Sequence, residues 1–340
     1  MKAAVYHSQE DIRIEDLPTP RIDEKEALVK MKACGICGSD MMEWYLKTRA
    51  PLVLGHEPTG VIAKRGSKVE EFDVGDRVFV HHHVACLKCH YCLHGDYTLC
   101  EQFHSTHLDP GGFAEYFRVP APNLEIDTLK IPESLSFEEA TFIEPVGCCL
   151  RAIKKCGLQT GDSVAVIGSG VIGIIHIALA KIFGAAKVIA SDLIDFRLAT
   201  AKKFGADITV NPQKEDFISI AKAETEGIGV DVAFVTAPSL EAYKAGLSVC
   251  RKGGKLCVFA PTHPKERLQI SPKDLFFSEI QIIPSYSTSH LETRLALELI
   301  KSGRLKLKEL ITHRFRLEEA AEAFKTALEN KESLKVIILN

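Results

Sequence analysis

The chain has 340 residues, enough for two domains, and its 46% hydrophobic and 26% charged residues are the balance of an ordinary globular protein. A formal net charge of −3 gives no electrostatic case for a nucleic-acid or anionic-membrane partner. The most apolar stretch, 164–183, is interrupted by Ser169, His176, Lys181 and three glycines, so it reads as a buried strand and helix and not as a membrane span.

The first seven residues read as a short strand without the apolar core of a signal peptide, and 11 cysteines without such a signal suit a reducing cytoplasm. From residue 1 to about 129, short β-type runs such as 27–31, 59–63 and 76–80 alternate with Gly, Pro and Asp, predicting a β-rich first domain. Two groups of possible metal donors lie within it: Cys37, before Gly38-Ser39-Asp40, and His56-Glu57, after Gly55. Taken alone, Cys37 reads as well as a small core residue and His56-Glu57 as a surface pair.

His81-His82-His83 falls on a predicted strand, where side chains alternate between faces, and so favours local structure over an extra metal site. Next come Cys86, Cys89, Cys92 and Cys100, spaced Cys-x2-Cys-x2-Cys-x7-Cys. Cysteines three apart on a tight turn can present their sulfurs to one point, and the loop containing Gly95 returns the fourth, the arrangement a tetrahedral zinc requires. Disulfides are the alternative, and the odd cysteine total argues against a full disulfide framework. With all four positions filled by protein, such a zinc holds a lobe together and binds no substrate.

After Pro132 the pattern becomes helical at 137–140 and 150–153, and then strands and helices alternate to about residue 284, predicting a parallel sheet covered by helices. The apolar run 164–167 leads into Gly168-Ser169-Gly170-Val171-Ile172-Gly173 and a helix, the context in which a GxGxxG turn holds a dinucleotide pyrophosphate. Asp192, nineteen residues after Gly173, is placed to accept the adenosine ribose hydroxyls and to repel a 2′-phosphate, which favours NAD over NADP. Arg197, five residues on, keeps NADP open because it can stack on adenine or reach a phosphate. His176 reads as a packing residue of the apolar helix. Helices near 291–301 and 317–329 and a strand at 335–339 form a tail expected to pack back on the first domain.

Cys37-Gly38-Ser39-Asp40, Gly55-His56-Glu57, the four-cysteine lobe, Gly112-Phe113-Ala114-Glu115-Tyr116, Glu144-Pro145 and the glycine-rich turn occur in that order. Together they resemble the zinc-containing medium-chain alcohol dehydrogenases over essentially the whole chain, and within them the branch of sorbitol, other polyol and threonine dehydrogenases. The resemblance implies an α/β protein with a GroES-like β-rich catalytic domain at 1–145 and 286–340 and a doubly wound Rossmann cofactor domain at 146–285. It implies two zinc ions per chain. The catalytic one is bound by Cys37 and His56, with Glu57 as ligand or close neighbour and Glu144 binding directly or through water. It also implies that Asp40 orients the His56 ring, that Ser39 relays the hydroxyl proton, and that the protein is a homodimer or homotetramer.

The expected reaction is hydride transfer from a secondary alcohol, such as a polyol, sugar alcohol or amino alcohol, to NAD, giving a ketone. Met42 stands where many relatives end the proton relay with a histidine, and Ser285 where polyol dehydrogenases often have arginine. Trp44, Phe103 and Tyr286 are candidates for the pocket wall, with core packing an equal alternative for Phe103. Two other readings stand beside this one: an NADPH-linked carbonyl reductase on the same scaffold, and a non-catalytic nucleotide-binding zinc protein.

Overall fold

The alternation in Ala27–Gly35 sets the pattern of the β-rich part: Ala27, Val29, Met31 and Ala33 are fully buried while Lys30 is exposed, so one face of the strand meets a core. The computed structural model describes all 340 residues, and the chain divides into two compact units, 1–147 with 288–340, and 148–287.

In the first unit, a seven-stranded sheet runs in the order Ile311–Arg316, Lys335–Leu339, Ala27–Gly35, Glu57–Arg65, Arg77–Val80 and Thr128–Lys130, with Tyr116–Val119 also paired to Ala27–Gly35. A smaller sheet joins Asp11–Asp16, Lys2–Ser8 and Leu52–Val53. Their shared core includes Met31, Ile62, Phe113, Phe117, Phe324 and Ile338. The tail does return to this unit: Lys335–Leu339 lies antiparallel to Ala27–Gly35, with Ile337 opposite Gly35, and on its other side Gly35 faces Glu57. A Cβ on Gly35 would collide with the Glu57 carboxylate and the Lys335 side chain, so the bare glycine is what lets those two side chains meet.

The second unit is a six-stranded parallel sheet ordered Ile208–Val210, Lys187–Ser191, Ser163–Ile167, Val230–Val235, Cys250–Val258, Gln281–Pro284. Numbered along the chain this is 3-2-1-4-5-6, the Rossmann order, whose ligand crevice lies at the carboxyl ends where the order reverses, beside Ser163–Ile167. Val164 to Ile167 are all buried, as a strand covered on both faces must be.

Two local expectations change. The strand that carries Phe79 ends at Val80, so the three histidines follow it and are not part of it. The segment at 317–329 opens with a 3-10 turn, Leu317–Glu319, before the helix Ala320–Glu329.

Candidate metal centre and coenzyme loop

Cys37 follows Ala27–Gly35 and opens the 3-10 turn Gly38–Met41. Its N–H donates to Asp40 Oδ2 at 3.0 Å, and Asp40 Oδ1 lies 3.2 Å from His56 Nδ1. One carboxylate therefore closes the turn and fixes the imidazole: with Nδ1–H donating to Asp40, the lone pair on Nε2 is left for a metal. Ser39 Oγ is 3.5 Å from that Nε2. Donor atoms of Cys37, His56 and Glu57 all lie within 4.8 Å of one another.

Glu144, in the first turn of Ile143–Cys156, is not one of that trio, yet it is buried close enough to act on the Glu57 carboxyl. Asp40, Glu57 and Glu144 are at most 5% exposed, and Glu57, Glu144 and the Cys37 sulfur all act on the buried ammonium of Lys335. Lys335 pairs with Glu57 and donates to the Ile36 carbonyl at 3.2 Å. Burial pushes the Glu57 carboxyl up, Lys335 opposes it, and Glu144 adds to the rise. For His56, burial favours the neutral ring, but Asp40 and Cys37 outweigh it and hold the ring well above 6.5. A set of S, N and O donors, with Glu57 buried and Cys37 and His56 half-buried, suits a divalent ion such as zinc.

Lys335 was not legible as a site residue in the sequence. The one available signal is a lysine opening the otherwise apolar strand Lys335–Leu339.

The four lobe cysteines also converge within 4.8 Å and form no disulfide. Sulfurs at the corners of a zinc tetrahedron stand about 3.8 Å apart when each bond is about 2.3 Å. Cys89 and Cys92 Sγ are 3.5 Å apart, and Cys86 and Cys92 Sγ 4.0 Å. The Lys88 and Cys89 N–H groups draw the Cys86 thiol down to about 6, while burial and the neighbouring Cys89 and Cys100 push Cys92 up to about 12. Only Ala85, Phe103 and partly buried Tyr97 pack with the thiols, too small a core to hold the lobe unaided. Cys92→Ala is expected to remove one metal per chain and to lower Tm by roughly 5–10 °C, at about 2–4 °C per kcal/mol; metal analysis and a thermal melt check it.

In the glycine-rich turn, Gly168 has φ 99° and Gly173 is pressed against the Gly168 carbonyl, so neither position admits a side chain. Gly170 caps Val171–Ile182 and faces open space, leaving the N–H groups of the first turn, at Val171 and Ile172, approachable by an anion. Asp192 is latched to this turn: Oδ2 accepts from Ser169 N at 2.7 Å and Oδ1 from Ile194 N at 2.9 Å. Arg197, on Asp195–Lys203, has a buried Nε with no partner. His176 is a packing residue, its Nδ1 donating to the Ile172 carbonyl at 2.9 Å, its ring centroid 4.6 Å from Phe234, and burial drawing it down to about 4.

Of the remaining candidates, Phe103 is 1% exposed in the lobe core and so packs there. Trp44 is half-buried edge-on to Tyr45, and Tyr286 is 50% exposed. The three histidines do not form a three-ligand group. His81 is a structural residue, donating from Nδ1 to Asp127 at 2.8 Å, with both side chains wholly buried.

A dinucleotide-type sheet and a buried mixed-donor cluster in one chain define a metal-dependent oxidoreductase. The family described as Alcohol dehydrogenase GroES-like domain matches residues 23–133, and that described as Zinc-binding dehydrogenase matches 171–302. The sorbitol dehydrogenase of Bacillus subtilis (strain 168) is 37% identical over 348 aligned positions, covering 99% of this chain and 97% of that protein. Two solved structures align over the whole chain. The 2R,3R-butanediol dehydrogenase of Bacillus subtilis has 30% identity and TM-score 0.87, with 99% of its own chain covered. The galactitol-1-phosphate dehydrogenase of Escherichia coli has 27% identity and TM-score 0.88, with 100% covered. The chain belongs to the zinc-containing medium-chain alcohol dehydrogenase family, and it is an NAD(P)-dependent oxidoreductase of the zinc alcohol and polyol class.

Proposed function

We propose that the chain oxidises a secondary alcohol with a neighbouring hydroxyl, in a polyol or sugar alcohol, to the ketone, with NAD as hydride acceptor. The observation that carries this reading is the convergence of Cys37, His56 and Glu57 with Glu144 buried beside them, a donor set richer in oxygen than in sulfur. Oxygen donors leave a bound metal a strong Lewis acid. Zinc held there would lower the pKa of a coordinated hydroxyl towards neutrality, and NAD would take the hydride.

The chain's own residues do the rest. Asp40 holds His56 in the tautomer that offers Nε2. Ser39 Oγ, near the same nitrogen, both accepts and donates, and so can take the hydroxyl proton and pass it on. The onward route does not use residue 42, because methionine carries no proton. Val171 and Ile172 at the helix N-terminus receive the pyrophosphate.

Asp192, held beside the turn by Ser169 and Ile194, supports NAD over NADP, and Arg197 follows one turn later. Asp192→Ala is expected to raise the NADP-to-NAD ratio of kcat/KM about 10- to 100-fold, measured with one alcohol and both coenzymes; a ratio that stays within twofold overturns the role. The NADPH-linked carbonyl reductase reading is tested by the same comparison. Convergence of the Cys37 group argues against a non-catalytic binding protein.

A homodimer or homotetramer is supported by the open outer edge of Gln281–Pro284 and by Phe276 and Phe277, which are 76% and 69% exposed. The eleven cysteines form no disulfide, which favours a cytoplasmic location. The deciding experiment assays polyols, amino alcohols and simple secondary alcohols with NAD and NADP, alongside a metal count. One zinc per chain in place of two, or no preference for a vicinal hydroxyl, would sink the proposal.

A further inference from the structure

We propose that His82 is a specificity-determining residue, the group that recognises the hydroxyl next to the one being oxidised; this rests on the polyol reading above. The ring of His82 lies 4.9 Å, centroid to centroid, from that of His56, inside the unit that holds Cys37, Glu57 and Ser39. Its Nδ1 is buried and has no hydrogen-bond partner within the protein. A buried polar nitrogen left unpaired is costly, so such an atom is normally satisfied by water or by ligand.

The surroundings keep that nitrogen in place. Asn123 Nδ2 donates to the His81 carbonyl at 2.9 Å and to the His82 carbonyl at 3.0 Å, which ties down the backbone on both sides of the peptide. His81 is anchored on Asp127, which also accepts from Thr293 Oγ1 at 2.7 Å. His83, whose ring is 4.0 Å from that of His82, is anchored by donation from Nδ1 to the Thr106 carbonyl at 2.6 Å. The imidazole is therefore clamped between two fixed rings, the preorganisation that polar recognition requires.

Its chemistry selects the ligand. A neutral imidazole donates from one ring nitrogen and accepts at the other. A neutral donor and acceptor matches a hydroxyl, and it offers no charge to a phosphate or carboxylate. Since the His82 ring lies against that of the metal donor His56, the hydroxyl it would meet is the one a single carbon away from the reacting centre.

The test compares 2,3-butanediol with 2-butanol as substrates of the zinc-loaded enzyme, for the wild type, His82→Leu and His82→Gln. His82→Leu is expected to lower the diol-to-mono-alcohol ratio of kcat/KM about 10- to 100-fold, chiefly through KM for the diol, and His82→Gln, which keeps a donor and an acceptor, to restore part of it. A ratio within twofold of wild type for His82→Leu at full metal content overturns the inference. Loss of metal from His82→Leu also overturns it, because His82 would then be supporting His56. Wild-type enzyme that oxidises neither alcohol overturns the polyol reading itself, and the inference with it.

Discussion

Lys335→Met is expected to destabilise the unit formed by 1–147 and 288–340 by about 3–5 kcal/mol at neutral pH, because it strands the Glu57 carboxylate without its buried partner. The penalty has a definite pH dependence. Glu57 is already raised above the ordinary 4.5 by burial, with Lys335 the main opposing influence, so removing the lysine raises it further. A carboxyl raised in the folded state favours folding only while protonated, so the deficit of the variant is small below about pH 4.5 and grows as pH rises through the elevated value. Lys335→Arg keeps the charge and is expected to recover most of the loss. Denaturant unfolding of the three proteins at pH 4 and pH 7 measures this. A deficit equal at both pH values would show that packing, and not the ion pair, accounts for it.

His56→Ala is expected to cost at least about 10³-fold in kcat, because losing the imidazole opens the donor set and removes the Lewis acid it would hold. Coenzyme binding is expected to survive, since the glycine-rich turn and Asp192 belong to the separate unit 148–287. Fluorescence titration with NADH should give a Kd within about threefold of wild type, and metal analysis should show one ion lost and the lobe ion retained. Wild-type turnover in this variant would exclude His56 from the chemistry. Loss of both ions would mean that the two cysteine-containing sites are not independent.

The features legible in the sequence are those whose partners are close along the chain. The lobe cysteines span 86–100 and the glycine-rich turn spans 168–173, so spacing alone implies their shape. Asp192 was legible because a βαβ unit sets a regular distance between turn and carboxylate. Asp40, three residues from Cys37, came through the family resemblance, and its hydrogen bonds to Cys37 and His56 agree with the role that the resemblance implied.

The features not legible depend on register between distant strands. Glu57 and Lys335 are 278 residues apart and meet only because Gly35 faces both neighbouring strands. Asp127 and Thr293, which together anchor His81, are 166 residues apart. The histidine triplet reads as strand because an apolar β run precedes it, but the strand ends at Val80, and His81 is held on Asp127 by both its backbone N–H and its ring. Phe103 was ambiguous because an aromatic residue in a lobe suits a wall or a core equally well, and only burial decides between them.

The strand Lys335–Leu339 has a consequence for biosynthesis. Residues 148–287 form a continuous stretch that can fold while the nascent polypeptide is still attached to the ribosome. The unit around Cys37 cannot be completed until Lys335 has cleared the exit tunnel, although Cys37, His56 and Glu57 emerge early in translation. The unit that carries Cys37 is thus completed later in synthesis than the earliest point at which 148–287 can fold.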